Sequence, residues 1–197
     1  MSVAVEPYYS PEQYLDLERK AQFRSEYVNG SIYAMSGTSR EHNLISLNMA
    51  GELRAQLRGQ PCEVYISDMR VKVSVTGMYT YPDVVAVCGE PAFDDEQIDT
   101  LTNPNMIVEV LSPSTEGYDR GEKFAHYRRL ESLQDYVLVA QDKVRVEHFA
   151  RRDNSSGQWV LTEISDPDGT LHLASIGCDL SLRDIYDRVE FTDSSVA

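Results

Sequence analysis

The sequence predicts an α/β protein in which helices flank a mixed central sheet. Three observations favour this fold class: apolar residues at helical spacing over residues 40–58, two short apolar runs rich in β-branched residues, and an Asn-Gly pair between two extended segments. The predicted order is helix, hairpin, helix, several strands, helix and several strands. Because helices and strands do not alternate regularly, we expect strands of mixed direction and not a regular βαβ series.

The length and composition favour one domain that spans residues 1–197. The chain has 197 residues, of which 42% are hydrophobic and 25% are charged, as is ordinary for a folded domain. We expect an ordered core over about residues 8–190. The two ends, Met1–Glu6 and Thr192–Ala197, lack apolar periodicity and are expected to be loose.

The first elements are a helix and a hairpin. Ser10 is a suitable cap for a helix that begins at Pro11 and runs to about residue 21. The extended segments 23–28 and 31–35 flank the Asn-Gly pair, which is typical of a tight β-turn. A hairpin should therefore follow the first helix directly.

The rest of the chain predicts two more long elements and a series of strands. The second helix covers residues 40–58, and the third covers 116–131 with Ser114 or Thr115 as its cap. Residues 90–105 are acidic and are interpreted as a surface connection. The expected strands are 62–66, 70–75, 84–88, 106–111, 134–140, 144–150, 159–164 and 170–174, and a short helix over 181–189 closes the chain.

The composition also restricts where the protein works. No apolar run reaches the roughly 20 residues that a membrane span needs, so we expect a cytoplasmic protein. Cys62, Cys88 and Cys178 are scattered and form no CxxC pair, which favours reduced, structural thiols. The net charge of -14 opposes binding to a polyanion, although the basic residues between 120 and 129 allow a local basic strip.

Two acids occupy positions that predict a functional site. Glu109 lies inside an apolar run, where a carboxylate is costly to bury unless it meets a cation or hydrogen-bond donors. Asp83 opens the other buried run, and the two carboxylates converge if these strands are neighbours. Such oxygen ligands suit Mg²⁺ or Mn²⁺. The structural alternatives are an ion pair with an arginine for Glu109 and a strand-end or turn role for Asp83.

The third helix supplies a cation. Its predicted phase places Asp119 and Lys123 one turn apart on one face. Lys123 can then reach back over the carboxylates, where an ammonium would stabilise the charge that develops in phosphodiester cleavage. Asp119 itself is interpreted as a helix-start residue, and Ser112 as a turn residue.

Three strings carry a family resemblance. In the order YPDVVAV, MIVEVLSPST and YDRGEKFAHYR, they resemble the PD-(D/E)XK nuclease superfamily and, more closely, its Uma-type restriction-endonuclease branch. The resemblance covers about residues 8–186. It implies a restriction-endonuclease-like fold and an Mg²⁺- or Mn²⁺-dependent endonuclease that cleaves nucleic acid, DNA in preference to RNA. It also implies a homodimer, in which two sites address two strands.

The resemblance assigns roles to particular residues. Asp83 and Glu109 correspond to the metal ligands, and Glu26 corresponds to an acid that can add a further ligand. The lysine expected two residues after Glu109 is replaced by Leu111. In the Uma-type branch the lysine lies on the next helix, where Lys123 stands.

Two accessory residues and a second function complete the hypothesis. Tyr127 can touch the site from one turn beyond the lysine, and the alternative is a core residue. His42 can contact phosphate, and the alternative is a cap for the second helix. The missing strand lysine and the acidic charge also fit an inactive nuclease-fold module that binds nucleic acid or protein. A hydrolase of other phosphate esters is a third hypothesis.

Overall fold

The computed structural model describes residues 7–35, 37–153 and 156–191. Its helices are α1 (Pro11–Glu18), α2 (Arg40–Gln56), α3 (Glu116–Tyr118), α4 (Phe124–Tyr127) and α5 (Leu182–Ile185), and a π-helical turn, Asp119–Lys123, joins α3 to α4. Its strands are β1 (Ser25–Val28), β2 (Ser31–Ala34), β3 (Cys62–Ile66), β4 (Arg70–Val73), β5 (Met78–Thr80), β6 (Val84–Cys88), β7 (Thr100–Leu101), β8 (Met106–Leu111), β9 (Asp135–Ala140), β10 (Val146–Arg151), β11 (Trp159–Ile164), β12 (Thr170–Leu173) and β13 (Cys178–Ser181). The ends that we expected to be loose, Met1–Glu6 and Thr192–Ala197, lie outside the described residues.

The central sheet has six strands in the order β11-β10-β9-β8-β6-β3. Strands β8 and β9 are parallel, and the other neighbours in this sheet are antiparallel. The predicted mixed α/β fold is therefore confirmed. A second sheet, which we did not predict, has the order β2-β1-β5-β4-β7, and β12 and β13 form a separate pair.

The two faces of the central sheet pack against different helices. Met106, Val108 and Val110 of β8 belong to the core cluster that includes the apolar side of α2. Ile107 and Leu111 face the opposite side and belong to the cluster that contains residues of α4 and of the second sheet. Because side chains alternate along a strand, Glu109 shares the face of Ile107 and Leu111.

The first hairpin follows the prediction from its turn sequence. Asn29 has φ 50° and Gly30 has φ 89°, so both turn residues are in the left-handed region. Such angles match the twist of the flanking strands and favour Asn-Gly. This turn fixes the register in which Glu26 of β1 lies opposite Tyr33 of β2.

All four predicted helices end earlier than expected: α1 at Glu18, α2 at Gln56, the helical run over α3 and α4 at Tyr127, and α5 at Ile185. The strands β5, β7 and β13 were not predicted, and β5 and β7, with three and two residues, are too short to establish a period. In the part of the chain that the structure describes, no helix has both the length and the apolar character that a membrane span requires.

The expectation of reduced cysteines is wrong for two of the three. Cys62 of β3 and Cys88 of β6 are joined by a disulfide, and Cys178 is a buried free thiol. The pairing has a simple cause, because the antiparallel register of β3 and β6 places the two residues directly opposite each other. Spacing along the sequence does not reveal that register.

Candidate active site

Asp83 and Glu109 meet because their strands are adjacent. Strands β6 and β8 pair antiparallel with Val84 opposite Val108, so the residue before Val84 lies opposite Glu109. Oδ2 of Asp83 accepts a hydrogen bond of 2.7 Å from the backbone N–H of Val110. The two strands are therefore neighbours, which is the condition under which we expected the two carboxylates to converge.

Glu109 is buried among polar partners and not against an arginine. Its side chain lies on the face of β8 that also carries Ile107 and Leu111, and the residue is 4% exposed. The Tyr127 hydroxyl donates a 2.7 Å hydrogen bond to Glu109 Oε1, and Nζ of Lys123 lies 2.9 Å from the same oxygen. Among the described residues no arginine pairs with Glu109, so the ion pair with an arginine that we considered is not seen there.

Lys123 is the central cation of this cluster. It is 6% exposed, and its ammonium lies 3.1 Å from Glu26 Oε1 and 3.7 Å from Asp119 Oδ1, in addition to its contact with Glu109. The π-helical turn ends at Lys123. We expected this lysine over the carboxylates, and the structure places its ammonium against Glu109 and Glu26.

Glu26 reaches the cluster from the second sheet. The Thr80 hydroxyl, at the end of β5, donates a hydrogen bond to Glu26 Oε1, and the same oxygen faces Lys123. The segment between β5 and β6 carries Asp83 and links the two sheets. The site is therefore built where the second sheet meets the central one, at the start of β6.

His42 supports Asp83 from the first turn of α2. Its Nε2 atom lies 3.2 Å from Asp83 Oδ2, and its backbone N–H is capped by the Ser39 hydroxyl at 3.1 Å. We predicted His42 and Tyr127 as accessory residues, and each contacts one of the two paired acids. The alternatives do not exclude these contacts, because Tyr127 is also in the core and His42 also lies in the capped turn.

Asp119 belongs to this cluster, although from the sequence we interpreted it as a helix-start residue. It is buried, it begins the π-helical turn, and its carboxylate lines the same cavity as Lys123. An acid near the start of a helix is also typical of a cap or of a favourable interaction with the helix dipole. Because we gave Asp119 that interpretation, we did not include it in the predicted site. Its spacing of four residues from Lys123 was the available signal.

The electrostatics of the cluster favour an additional cation. Burial raises the pKa of Glu109 well above its ordinary value of 4.5, and the neighbouring carboxylates of Asp119, Asp83 and Glu26 add to the shift, although Lys123 opposes it. Burial also raises the pKa of Asp119. Burial alone would lower the pKa of Lys123, but the surrounding acids, Glu109 foremost, raise it. Four carboxylates thus share one ammonium and the adjacent His42.

The donor set fits an oxygen-preferring divalent cation. Hydrogen bonds from the described residues engage Oδ2 of Asp83 and Oε1 of Glu109, which leaves the second oxygen of each carboxylate for another ligand. Mg²⁺ commonly takes one or two carboxylates and completes its shell with water and phosphate oxygens. Over residues 7–35, 37–153 and 156–191, no three His, Cys, Asp or Glu side chains gather closely enough to hold one ion. A ligand role for Glu26 stays a prediction.

These residues lie in a cavity of about 620 Å³. Its floor is formed by Glu109, Lys123 and Asp83, and its wall carries uncharged polar groups from the start of α2, the turn after β8 and the loop after β9. Those polar residues are Thr38, Ser39, Ser112, Ser114, Thr115 and Gln141. A concave cavity with a few convergent polar groups is the usual form of a small-molecule or substrate site.

The mixed central sheet, with Asp83 directly before β6 and opposite Glu109 of β8, fits the restriction-endonuclease-like class of fold. The model of the Uma2 family, described as "Putative restriction endonuclease", matches residues 11–183. The chain belongs to the Uma2 family.

Two proteins and one solved structure are similar to the chain over most of its length. Two Synechocystis sp. proteins, slr1290 and sll1609, both described as uncharacterized, are 38% and 37% identical to the chain. The first match covers 94% of this chain and 95% of slr1290, and the second covers 83% of this chain and 92% of sll1609. A crystal structure of "a putative nuclease belonging to DUF820" from Anabaena variabilis superposes with a TM-score of 0.74 at 17% identity, over 90% of this chain and 97% of that one. This last likeness supports the fold alone.

Proposed function

We propose that this chain is an Mg²⁺- or Mn²⁺-dependent endonuclease that hydrolyses phosphodiester bonds of nucleic acid, with DNA as its substrate. The observation that carries the proposal is the opposition of Asp83 and Glu109 on adjacent strands, with the Lys123 ammonium 2.9 Å from Glu109. Family membership supports the nuclease class. A homodimer and a cytoplasmic location belong to the same proposal and rest on the resemblance and on the composition.

The residues divide the chemical work. Asp83 and Glu109 would hold a divalent cation, which when bound would polarise a phosphodiester and lower the pKa of an attacking water. His42 and the Val110 N–H fix the orientation of the Asp83 carboxylate. The Tyr127 hydroxyl does the same for Glu109.

Lys123 stabilises developing charge. In this proposal its ammonium faces the non-bridging oxygens of the phosphate, which become more negative in the transition state. Glu26 and Asp119 keep the ammonium in place and charged. A lysine on the helix can therefore act where the strand position carries Leu111.

The test compares two buried aspartates. Asp83→Ala should abolish Mn²⁺-dependent cleavage of a DNA substrate and should remove Mn²⁺ binding in calorimetry. Asp135→Ala is the matched control, because Asp135 opens β9, is also buried and lies 2.7 Å from His148 outside the cavity. Undiminished cleavage by the Asp83 variant would reject the assignment, and an RNA of the same sequence tests the DNA preference.

One structural observation favours the alternative of an inactive binding module. Lys123 already contacts three carboxylates, so its charge is engaged within the protein. A module of this kind binds nucleic acid or protein without cleavage and need not bind the metal. Mn²⁺ calorimetry on the wild-type protein separates the two functions: no uptake at the carboxylates supports the module and opposes the nuclease.

A further inference from the structure

Tyr33 is an exposed aromatic residue at the mouth of the cavity. It lies opposite Glu26 in the first hairpin, so the two side chains extend from the same face of the two strands. Glu26 points inward to Lys123, while Tyr33 lines the same cavity from the edge strand β2 and is 57% exposed. The ring of Tyr33 therefore stands one strand outward from the charged floor.

The ring is not held by other parts of the protein. The Tyr33 hydroxyl makes no hydrogen bond with the described residues, and Tyr33 belongs to none of the buried clusters formed by them. Three nearby tyrosines, by contrast, are buried against one another: Tyr14, Tyr27 and Tyr79. An aromatic face that is open to solvent beside a substrate cavity is suited to stacking on a planar ligand.

The charges of the cavity disfavour recognition through the phosphate backbone. Its lining includes five acids, Glu26, Asp83, Glu109, Asp119 and Glu122, and the basic side chains on it are Lys123 and His42. Both basic residues already contact carboxylates. Proteins that bind duplex DNA without stacking neutralise many phosphates with Lys and Arg, and the lining residues offer no such track.

The depth of the cavity points in the same direction. Glu109 and Lys123 are almost fully buried, so a phosphate must enter the cavity to reach them. A volume of about 620 Å³ is in the range that accepts a ligand of nucleotide size. In a duplex the base faces are covered by their neighbours, so a base can stack on a protein ring only when it is unpaired or flipped out.

We infer that the substrate is single-stranded or locally unpaired nucleic acid, and that an unpaired base next to the scissile phosphate stacks on Tyr33. This inference rests on the proposed nuclease function. Stacking of a base on an aromatic side chain is tolerant of sequence and supplies affinity that an acidic surface cannot draw from phosphates. Tyr33 is then a residue that determines substrate form and does not take part in the reaction at phosphorus.

The experiment follows stacking and cleavage separately. A single-stranded oligonucleotide that contains 2-aminopurine is mixed with protein and Mg²⁺ in a stopped-flow instrument, and its fluorescence reports stacking before cleavage. Tyr33→Ala should remove the quenching and raise KM by about 5- to 150-fold, whereas Tyr33→Phe should retain both values. Phe23→Ala is the matched control, because Phe23 is 78% exposed and does not line the cavity.

The outcomes distinguish this inference from the proposed function. If the wild-type protein cleaves a perfect duplex as well as the single strand, and Tyr33→Ala cleaves both normally, the inference is overturned while the nuclease function stands. If no nucleic acid is cleaved but the quenching still depends on Tyr33, the stacking inference is supported and hydrolysis is rejected. A KM change for Tyr33→Phe equal to that for Tyr33→Ala would also overturn the stacking role.

Discussion

Lys123→Met removes the ammonium from a buried site that holds several acids. The lysine is 6% exposed and contacts Glu109 at 2.9 Å, Glu26 at 3.1 Å and Asp119 at 3.7 Å. Removing one partner of a buried ion pair typically lowers the free energy of unfolding by about 3–5 kcal/mol, because the remaining charge is left without compensation. At about 2–4 °C per kcal/mol for a chain of this size, the melting temperature should fall by roughly 6–20 °C.

Urea denaturation of three variants measures this effect. Lys20→Met is the control, since Lys20 forms an ion pair with an acid four residues earlier, as Lys123 does, but is exposed to solvent. An exposed pair contributes about 0–1 kcal/mol. The double variant Lys123→Met, Glu109→Gln should recover part of the loss, because it removes one of the uncompensated acids. A loss below 1 kcal/mol for Lys123→Met, equal to that of Lys20→Met, would refute the reasoning.

Three further predictions concern the same fold. Glu109→Gln should become more stable relative to the wild type as the pH rises above 4.5. The native Glu109 carboxyl binds its proton more tightly than the unfolded one, so the wild type loses stability as the pH increases. Plots of unfolding free energy against pH that run parallel for the two proteins would contradict this. Tyr127→Phe should lower the unfolding free energy by about 1–3 kcal/mol, because it removes the hydrogen bond to Glu109. Urea titration measures this change, and an unchanged urea midpoint would contradict the prediction. Cys62→Ser should lower the unfolding free energy by roughly 3.5 kcal/mol, as the loop-entropy relation gives for a loop of 26 residues. Three free thiols counted by mass spectrometry in the native wild type would show that the Cys62–Cys88 bond is absent.

The sequence predicts the acids of the site better than their surroundings. Glu109 could be found because a carboxylate within a run of apolar residues is costly to bury without a cation or hydrogen-bond donors, and Asp83 because it opens a second such run. Their opposition depends on the pairing of β6 with β8, which is a tertiary contact. Glu26 is on a short hairpin strand with nothing unusual around it, so only the family resemblance pointed to it.

The missed features share one physical cause. The disulfide and the second sheet both depend on strand registers that short segments do not encode on their own. The strands β5 and β7 have three and two residues, so they are stable only as parts of a sheet. Cys62 and Cys88 meet because β3 pairs with β6.

The widened turn Asp119–Lys123 ends at the lysine whose ammonium contacts Glu109. A π-turn accommodates one residue more than an α-turn, and each residue of a regular helix advances the side-chain direction by about 100°. Deleting one residue inside this turn, such as Gly121, would rotate the side chains before it by about 100° relative to those after it and would change how Asp119 approaches Lys123. The geometry of this buried contact therefore depends on the extra residue of the turn.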